Sequence, residues 1–302
     1  MTARERQLAY AAWVAVCIFW GTTYLAIRVG VQSVPPLLFA GVRFLIAGAL
    51  LLAFLTLRGE TLPRGRDWLR LAIVGLALLG FANGFVVWSA KWLPSGVGAL
   101  VVAMTPFWML GMEAALPGGD RIKPRDVAGL LLGFGGLLFL VWPRIYGVTF
   151  DGDMARGILA LQGACLFWSL GSIYARRQPS EVKPLVGAAV QMLVAGVVVS
   201  LLGLAAGEGS RLHWTPAGIG SIAYLVVFGS IVGYGCYIYS LQKLPISTVS
   251  LYSYVNPVVA VVLGWALLGE PLGWREWTAM AVILGGAGVV QSSRIRKRDD
   301  EG

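Results

Sequence analysis

Charged side chains are scarce in this sequence. Asp, Glu, Lys and Arg make up 13% of its 302 residues, and hydrophobic residues make up 57%. Soluble domains carry about 25% charged residues, and the mean hydropathy here is +0.74. So little charge excludes an ordinary soluble domain and indicates an integral membrane protein.

Histidine and cysteine are also rare. The single histidine, His213, falls between two apolar runs, and the three cysteines all fall inside such runs. Cysteines buried in apolar runs provide no framework for disulfide bonds, and they are typical of small hydrophobic packing residues. We therefore expect no disulfide, no metal site and no cofactor.

Acidic residues are missing from the centres of the apolar runs. Glu113 and Glu270 fall near the ends of runs, and the other acids fall in loops or tails. This placement offers no carrier for a proton relay of the embedded-carboxylate kind. No run holds a Ser/His pair or two aspartates at depth, so we do not expect a membrane-embedded enzyme. No lysine lies deep in a run, which disfavours phosphorylated solutes and nucleotide sugars.

The apolar runs are long enough to cross the hydrocarbon core as helices. A helix needs about 20 apolar residues to do so, whereas a barrel strand needs about 10 of alternating polarity. The sequence predicts an all-α polytopic membrane protein with ten transmembrane helices, at 8–29, 36–57, 68–90, 95–116, 126–143, 155–175, 184–206, 215–241, 246–268 and 274–293.

The net charge of +9 is distributed unevenly about these spans. Seventeen of the 24 Lys and Arg residues lie on the side of the N-terminus, and six lie on the opposite side. Cytoplasmic loops carry such an excess, so both termini are predicted to be cytoplasmic, in a bacterial-type inner membrane. The basic tail is explained by topology and membrane contact, and we expect no nucleic-acid partner.

One five-span unit is written twice. "CIFWGTTYLAIR" at 17–28 returns as "CLFWSLGSIYAR" at 165–176, and "FAGVRFLIAG" at 39–48 returns as "GAAVQMLVAG" at 187–196, both 148 positions later. At an offset of 151, "WLPSGVGALVVAMTPF" from residue 92 aligns with "KLPISTVSLYSYVNPV" from residue 243. The sequence therefore predicts two repeats, at 1–148 and 149–302.

An odd number of spans inverts the second repeat relative to the first. Two inverted five-helix repeats are typical of secondary transporters. Such a pair has two near-equivalent arrangements, each open to one side of the membrane, which favours alternating access. A channel stays open as an alternative, although two non-identical halves do not readily build a ring-like selectivity element.

The order of these motifs resembles the EamA-type transporters of the drug/metabolite transporter superfamily. Phe-Trp occurs in the first span of each repeat (19–20 and 167–168), Leu-Pro precedes each fourth span (93–94 and 244–245), and "LLGEPL" precedes the last span. The family resemblance implies export of a small metabolite. The aromatic residues resemble those of exporters of amino acids, including aromatic ones. The family's small multidrug-resistance relatives carry a glutamate in the first span, whereas residues 10–27 contain no acid. Export of bulky cations coupled in that way is disfavoured.

Two prolines mark the candidate substrate site. Pro106 and Pro257 fall near the middle of equivalent spans, and a proline there frees a carbonyl that must face protein or a wet cavity. We interpret both as hinges beside a midplane site, although a packed, gently kinked helix is the alternative. Residues beside the prolines and at mid-span are predicted to bind substrate: Trp20, Thr23, Tyr24, Asn83, Thr105, Trp108, Trp168, Ser172, Tyr234, Tyr237, Tyr252 and Asn256.

Trp20 and Trp168 fall too deep for the aromatic belt at the membrane surface. Each indole N–H needs a partner away from lipid, so these rings either line the cavity or pack between helices. Arg43 lies about 10 Å inside its span at 1.5 Å per residue, and its repeat partner is the neutral Gln191. Its side chain either bonds neighbouring carbonyls or snorkels, or it binds a substrate carboxylate. The family resemblance places an arginine here irrespective of substrate, which favours the structural role.

Together these features predict a secondary, non-ATP transporter in the lipid bilayer that exports small metabolites by alternating access. A lining of Trp, Tyr, Thr, Ser and Asn suits a small neutral or zwitterionic solute with an apolar part. The family resemblance implies amino acids, including aromatic and apolar ones. The alternatives are transport of a drug-like cation, a sugar phosphate or a nucleotide sugar, and a channel. The sequence leaves the coupling ion and the oligomeric state open.

Overall fold

In a computed structural model, the chain is helical and contains no strand among the residues that the structure describes. These are residues 2–89, 92–93, 95–119, 122–268 and 271–299. Pro94 and the Gly-Glu pair of "LLGEPL" fall outside them. The first seven α-helices are α1 (Ala3–Gly30), α2 (Pro36–Leu57), α3 (Arg66–Gly75), α4 (Asn83–Ser89), α5 (Ser95–Val102), α6 (Thr105–Ala115) and α7 (Pro124–Ile145). The other seven are α8 (Gly152–Arg177), α9 (Pro184–Ala205), α10 (Pro216–Tyr224), α11 (Gly235–Lys243), α12 (Ile246–Ser250), α13 (Tyr252–Leu268) and α14 (Trp274–Asp299).

Helix starts follow the local sequence. The helices α2, α7, α9 and α10 each begin at a proline, whose fixed φ and missing N–H suit the first turn. The helix α1 begins five residues before its predicted span, because Thr2 and Glu5 form a capping box that satisfies two backbone donors.

Among the described residues, eight helical segments are long and apolar enough to cross a membrane. They correspond to the second to ninth predicted spans, and the most apolar of them are α2 and α9. The long helices α1 and α14 are not among the eight. The protein is therefore a helical membrane protein, as its composition predicts.

Four of the predicted spans are not single regular helices. The third contains a π-helix, π1 (Leu76–Ala82), between α3 and α4, and the eighth contains another, π2 (Leu225–Tyr234), between α10 and α11. The fourth span is broken at 103–104, between α5 and α6, and the ninth at Leu251, between α12 and α13. Breaks and π-turns in membrane helices are tolerated where protein or water satisfies the freed carbonyls.

Helices at equivalent positions of the sequence repeat pack against each other in opposite directions. In the contact of α2 with α9, Gly48 lies against Leu193, whereas Gly41 lies against Ser200. The equivalent approach is that of Gly196 to Leu45. A methyl group on Gly48 or Gly196 would collide with backbone atoms of the facing helix, so only glycine allows this spacing.

The pair α7 and α14 packs in the same way. Gly136 lies against Ile283, and its repeat equivalent Gly286 lies against Gly133. The buried core has two main clusters: one is centred on α2 and α9, and the other on α6, α7, α13 and α14. The first cluster borders the candidate site.

Two acidic residues at equivalent loop positions connect the halves of the chain. The buried carboxylate of Glu208 accepts hydrogen bonds from Leu37 N (3.4 Å) and Leu38 N (2.8 Å) at the start of α2. Its equivalent, Glu60, pairs with Lys183 Nζ at 2.6 Å before α9. An anion is favourable at a helix N-terminus, where free N–H groups meet the positive end of the dipole. Each second helix is therefore anchored by a loop of the other half.

Candidate functional site

Four aromatic rings from four helices meet in the interior, and we call them the aromatic cluster: Trp20 of α1, Trp168 of α8, Tyr237 of α11 and Tyr252 of α13. Trp20 lies 5.6 Å from Trp168, 5.2 Å from Tyr237 and 5.1 Å from Tyr252, measured between ring centroids. Trp168 and Tyr237 are 5.3 Å apart, and Tyr237 and Tyr252 are 5.7 Å apart. Edge-to-face and tilted pairs at such distances are favourable. The sequence predicted all four rings as site residues, and the fold brings them together.

Backbone and hydroxyl groups fix the orientation of the rings. Trp20 Nε1 donates to Gly229 O in π2 at 3.0 Å, and the indole lies so close to Gly233 that a Cβ there would be 2.5 Å from Nε1. Ser172 Oγ donates to Trp168 O at 2.6 Å. Its only hydrogen is used there, so the Tyr237 hydroxyl is the donor in their 2.6 Å contact.

Trp168 differs from its repeat partner Trp20. Its Nε1 is buried near the Tyr237 hydroxyl but makes no hydrogen bond of good geometry. Of these two repeat-equivalent tryptophans, one therefore has an acceptor for its indole N–H, and the other has none of good geometry. An unsatisfied donor in the interior is available to a ligand acceptor.

The polar residues before the two prolines are used for helix packing. Thr105 Oγ1 donates to Val102 O at 2.6 Å and contacts Cys165 Sγ at 3.4 Å. In the amide orientation that suits its surroundings, Asn256 donates to Cys17 O and Tyr252 O, both at 3.0 Å. Thr105 and Asn256 are repeat equivalents, as are Cys165 and Cys17. Each pre-proline residue thus connects a broken helix to the first helix of the other half.

The prolines themselves occupy different positions in their helices. Pro106 lies in the first turn of α6, just after the break at 103–104, so it does not interrupt a regular helix as the sequence predicted. The carbonyl that it frees, Val102 O, accepts the Thr105 hydroxyl. Pro257 lies inside α13, six residues beyond the break at Leu251.

Other predicted site residues contact the surrounding protein. Thr23 Oγ1 donates to Trp20 O at 2.7 Å, and Asn83 Nδ2 donates to Leu78 O in π1 at 3.0 Å. Trp108 Nε1 donates to Gln162 Oε1 at 2.7 Å. The side chain of Tyr24 lies outside the described residues. The first two bonds lie within one helical segment each, whereas the third joins α6 to α8.

A buried hydrogen bond links the aromatic cluster to a small cavity. Tyr234 OH donates to Gln191 Oε1 at 2.8 Å, and the Tyr234 ring stacks on Tyr237 at 6.2 Å. Gln191 also lines a cavity of about 20 Å³, enough for about one water molecule. This cavity lies between α3, α8, α9 and α11, and its lining includes Arg70 and Gln242.

Arg43 is partly exposed, and its guanidinium lies beside a buried ring. Its guanidinium carbon lies 4.2 Å from the ring centroid of Phe44, which is 2% exposed. Its Nε is buried without a hydrogen-bond partner. No hydrogen bond joins Arg43 to a carbonyl of a described residue, and both roles considered from the sequence, structural and carboxylate-binding, stay predictions.

Sequence reasoning missed the two π-helices and the hydrogen-bond partners Gln162 and Gln191. The π-helices carry Gly80 in the third span, and Gly229 and Gly233 in the eighth. Glycine content gave no usable signal for π1, because one glycine in seven residues matches the 40 in 302 of the whole chain. The partners could not be found from periodicity, because they are fixed by which helix faces which.

A family model matches the chain twice. The EamA-like transporter family model covers residues 7–142 and again residues 155–291. The two matches fall on either side of the boundary between the predicted repeats.

Relatives of similar length share this fold or carry transporter names. The chain is 40% identical over 284 residues to the "Uncharacterized inner membrane transporter YedA" of Escherichia coli (strain K12), covering 93% of this chain and 90% of that protein. It is 27% identical over 256 residues to the "Uncharacterized transporter YvbV" of Bacillus subtilis (strain 168), covering 84% and 82%. A solved crystal structure at 25% identity superposes with a TM-score of 0.83, covering 95% of this chain and 98% of that one.

Proposed function

This chain belongs to the EamA-like transporter family, and from that premise we propose that it is a secondary transporter exporting small metabolites, chiefly amino acids with aromatic or apolar side chains. The observation that carries this proposal is the aromatic cluster, in which Trp20 and Trp168 meet from equivalent helices of the two halves. A solute held between such rings gains apolar contact area without requiring a charged pocket.

Ten membrane crossings in two inverted five-helix halves form the proposed architecture. Its support is the antiparallel packing of equivalent helices, with Gly48 against Leu193 and Gly196 against Leu45. If two equivalent helices run in opposite directions, one copy of the repeat enters the membrane from the other side. The two family matches support the same division, and we take the halves as 1–148 and 149–302.

Alternating access then consists of rocking one half against the other about the aromatic cluster. The broken helices that contain Pro106 and Pro257 act as the hinges of this movement. In support, side-chain hydroxyls donate to backbone carbonyls at both breaks: Thr105 to Val102 O at the first, and Ser250 and Ser253 to Ser247 O and Ser250 O at the second. In this structure the aromatic rings contact one another, and transport requires them to separate around the solute.

We place the protein in the bacterial inner membrane with both termini in the cytoplasm. The excess of Lys and Arg on the N-terminal side supports this orientation. The name of the 40% identical relative from Escherichia coli, an inner membrane transporter, supports the location.

Uptake into proteoliposomes with a panel of labelled amino acids, with and without a pH gradient, tests the function. We expect saturable flux of phenylalanine, tryptophan or leucine, and counterflow when the same unlabelled amino acid is loaded inside. A channel would show no such trans-stimulation.

The panel also contains a polyamine, a sugar phosphate, a nucleotide sugar and a drug-like cation. Good flux of one of these without saturable flux of any amino acid would contradict the proposed substrate class. The pH gradient separates proton-coupled transport from uniport, because only proton-coupled flux responds to the gradient.

A further inference from the structure

Arg43 lies inside the apolar helix α2 without a counter-charge in the part of the chain that the structure describes; the residue is partly exposed, and its Nε is buried. Its side chain takes part in no ion pair there, and its Nε makes no hydrogen bond. An unpaired charge at such depth is strongly unfavourable, so embedded ionisable residues are usually functional and have a definable partner.

The elements packed against α2 supply no such partner. They include α4, α9, α10, π2 and the 3₁₀ turn Glu208–Arg211. The sequences of α4, α9, α10 and π2 contain no Asp or Glu. Glu208 is the one acid in these five elements, and its two carboxylate oxygens accept the backbone N–H groups of Leu37 and Leu38.

The equivalent position in the other half is satisfied. Gln191 accepts the Tyr234 hydroxyl at 2.8 Å. The repeat equivalent of Tyr234 is Asn83, whose amide nitrogen donates to Leu78 O. The hydroxyl that bonds Gln191 therefore has no equivalent that bonds Arg43. At this pair of positions, one half carries a charge and the other is neutral.

The guanidinium lies beside a buried ring, and the residue as a whole is partly exposed. Its carbon lies 4.2 Å from the ring centroid of the buried Phe44. A guanidinium group only donates hydrogen bonds, and its planar fork matches a carboxylate. Among the described elements packed against α2, no acid is available to Arg43, and a carboxylate of a bound solute would match its fork.

We propose that Arg43 binds the carboxylate of the transported solute, which makes the substrate class organic acids and amino acids with a free carboxylate. This inference rests on the proposed transport function and names the group by which the solute is recognised. The aromatic cluster then contacts the apolar part of the solute, and Arg43 selects the charged end.

Counterflow of labelled L-phenylalanine by the full chain in proteoliposomes tests the assignment. Arg43→Gln introduces the residue of the other half and removes the charge, whereas Arg43→Lys keeps the charge and loses the fork. The matched control is Arg156→Gln, since Arg156 is 70% exposed and pairs only with Asp153 on the surface. Inhibition by phenylalaninamide, which lacks the carboxylate, is measured in parallel.

We expect Arg43→Gln to raise the half-saturation concentration of phenylalanine by about tenfold or more, because a charge-assisted pair is lost. Arg43→Lys should give a smaller rise, and Arg156→Gln none. Inhibition by phenylalaninamide should be unchanged in all variants. If Arg43→Gln changes the half-saturation concentration of phenylalanine by less than about twofold, the proposal is overturned, because the loss of even one hydrogen bond has a larger effect. An equal loss for both ligands would overturn it as well.

A binding measurement separates this inference from the transport proposal. Phenylacetate should raise the melting temperature of the purified wild-type protein but not that of Arg43→Gln, and phenylacetamide should raise neither. If no amino acid is transported but phenylacetate still stabilises only the wild type, the amino-acid substrate is wrong and the role of Arg43 stands. If phenylacetate stabilises both proteins equally or neither, the role of Arg43 is wrong. Should Arg43→Gln not fold, Arg43→Lys takes its place in this measurement. Equal stabilisation of wild type and Arg43→Lys by phenylacetate would then show that the role of Arg43 is wrong.

Discussion

Trp20 and Trp168 occupy the same place in the two copies of the sequence repeat, and their rings meet edge to face with centroids 5.6 Å apart. One indole donates to Gly229 O, whereas the other lies near the Tyr237 hydroxyl and makes no hydrogen bond of good geometry. The two pseudo-symmetric indoles thus differ in hydrogen bonding. Such a pair can distinguish the two ends of an asymmetric solute.

Alanine at Trp20 or Trp168 should impair transport. Removing either ring takes away a face of the aromatic cluster, and we expect the half-saturation concentration to rise by about tenfold, the effect of losing one aromatic contact of about 1.5 kcal/mol. Trp142→Ala is the matched control, because Trp142 lies near the end of α7 and is 48% exposed. Unchanged flux and half-saturation in both variants would show that these rings only pack the helices.

Phenylalanine at the same two positions should separate their structural roles. Trp20→Phe loses the hydrogen bond to Gly229 O and should destabilise the protein by about 1 kcal/mol more than Trp168→Phe, which has no such bond to lose. Melting temperatures in one detergent compare the two variants. Equal destabilisation would contradict the difference in hydrogen bonding.

Tyr234→Phe should leave the Gln191 carbonyl oxygen unsatisfied in the interior and cost about 1–3 kcal/mol. Gln191→Leu combined with Tyr234→Phe should cost less than the sum of the two single changes, because both partners are then apolar. Thermal unfolding measures all three. Tyr239→Phe is the control, since Tyr239 lies two residues beyond the aromatic cluster residue Tyr237 in α11. Additive costs in the double variant would argue against the hydrogen bond.

Alanine at Gly48 or Gly196 should separate α2 from α9. Each added methyl group meets backbone of the facing helix, which costs about 1–3 kcal/mol. Gly220→Ala is the control, because open space surrounds Gly220 and a helical glycine-to-alanine change is favourable by about 0.5–1 kcal/mol. Similar melting temperatures in all three variants would mean that the two helices are not packed this closely.

Glu208→Gln should destabilise the protein more than Glu60→Gln, although the two residues are repeat equivalents. Glu208 is buried and accepts two backbone N–H groups, whereas Glu60 pairs with the exposed Lys183. A helix-capping anion contributes about 1–2 kcal/mol, and an exposed ion pair at most about 1 kcal/mol. The melting temperatures of the two variants test the order, and the reverse order would contradict it.

The sequence by itself determined the membrane class, the repeat and the identity of the aromatic rings. Length and hydropathy place helices because an unpaired backbone group in lipid is too costly for any other spanning segment. The offset of 148 residues pairs Trp20 with Trp168 before any contact is known. Tyr252 was predicted from its place before Pro257, and Tyr237 from its position at mid-span. These properties are local, or follow from matching one stretch of sequence with another.

Only the tertiary structure decided which polar groups bond which. Thr105, Asn83 and Asn256 were predicted to bind substrate, yet their hydrogen bonds go to the protein, and that substrate role stays a prediction. The π-helices could not be predicted from their apolar runs, because an α-turn and a π-turn have the same hydropathy. The partner of Gln191 and the missing partner of Arg43 depend on helices more than 30 residues away in sequence, and no periodic pattern records which helices face each other.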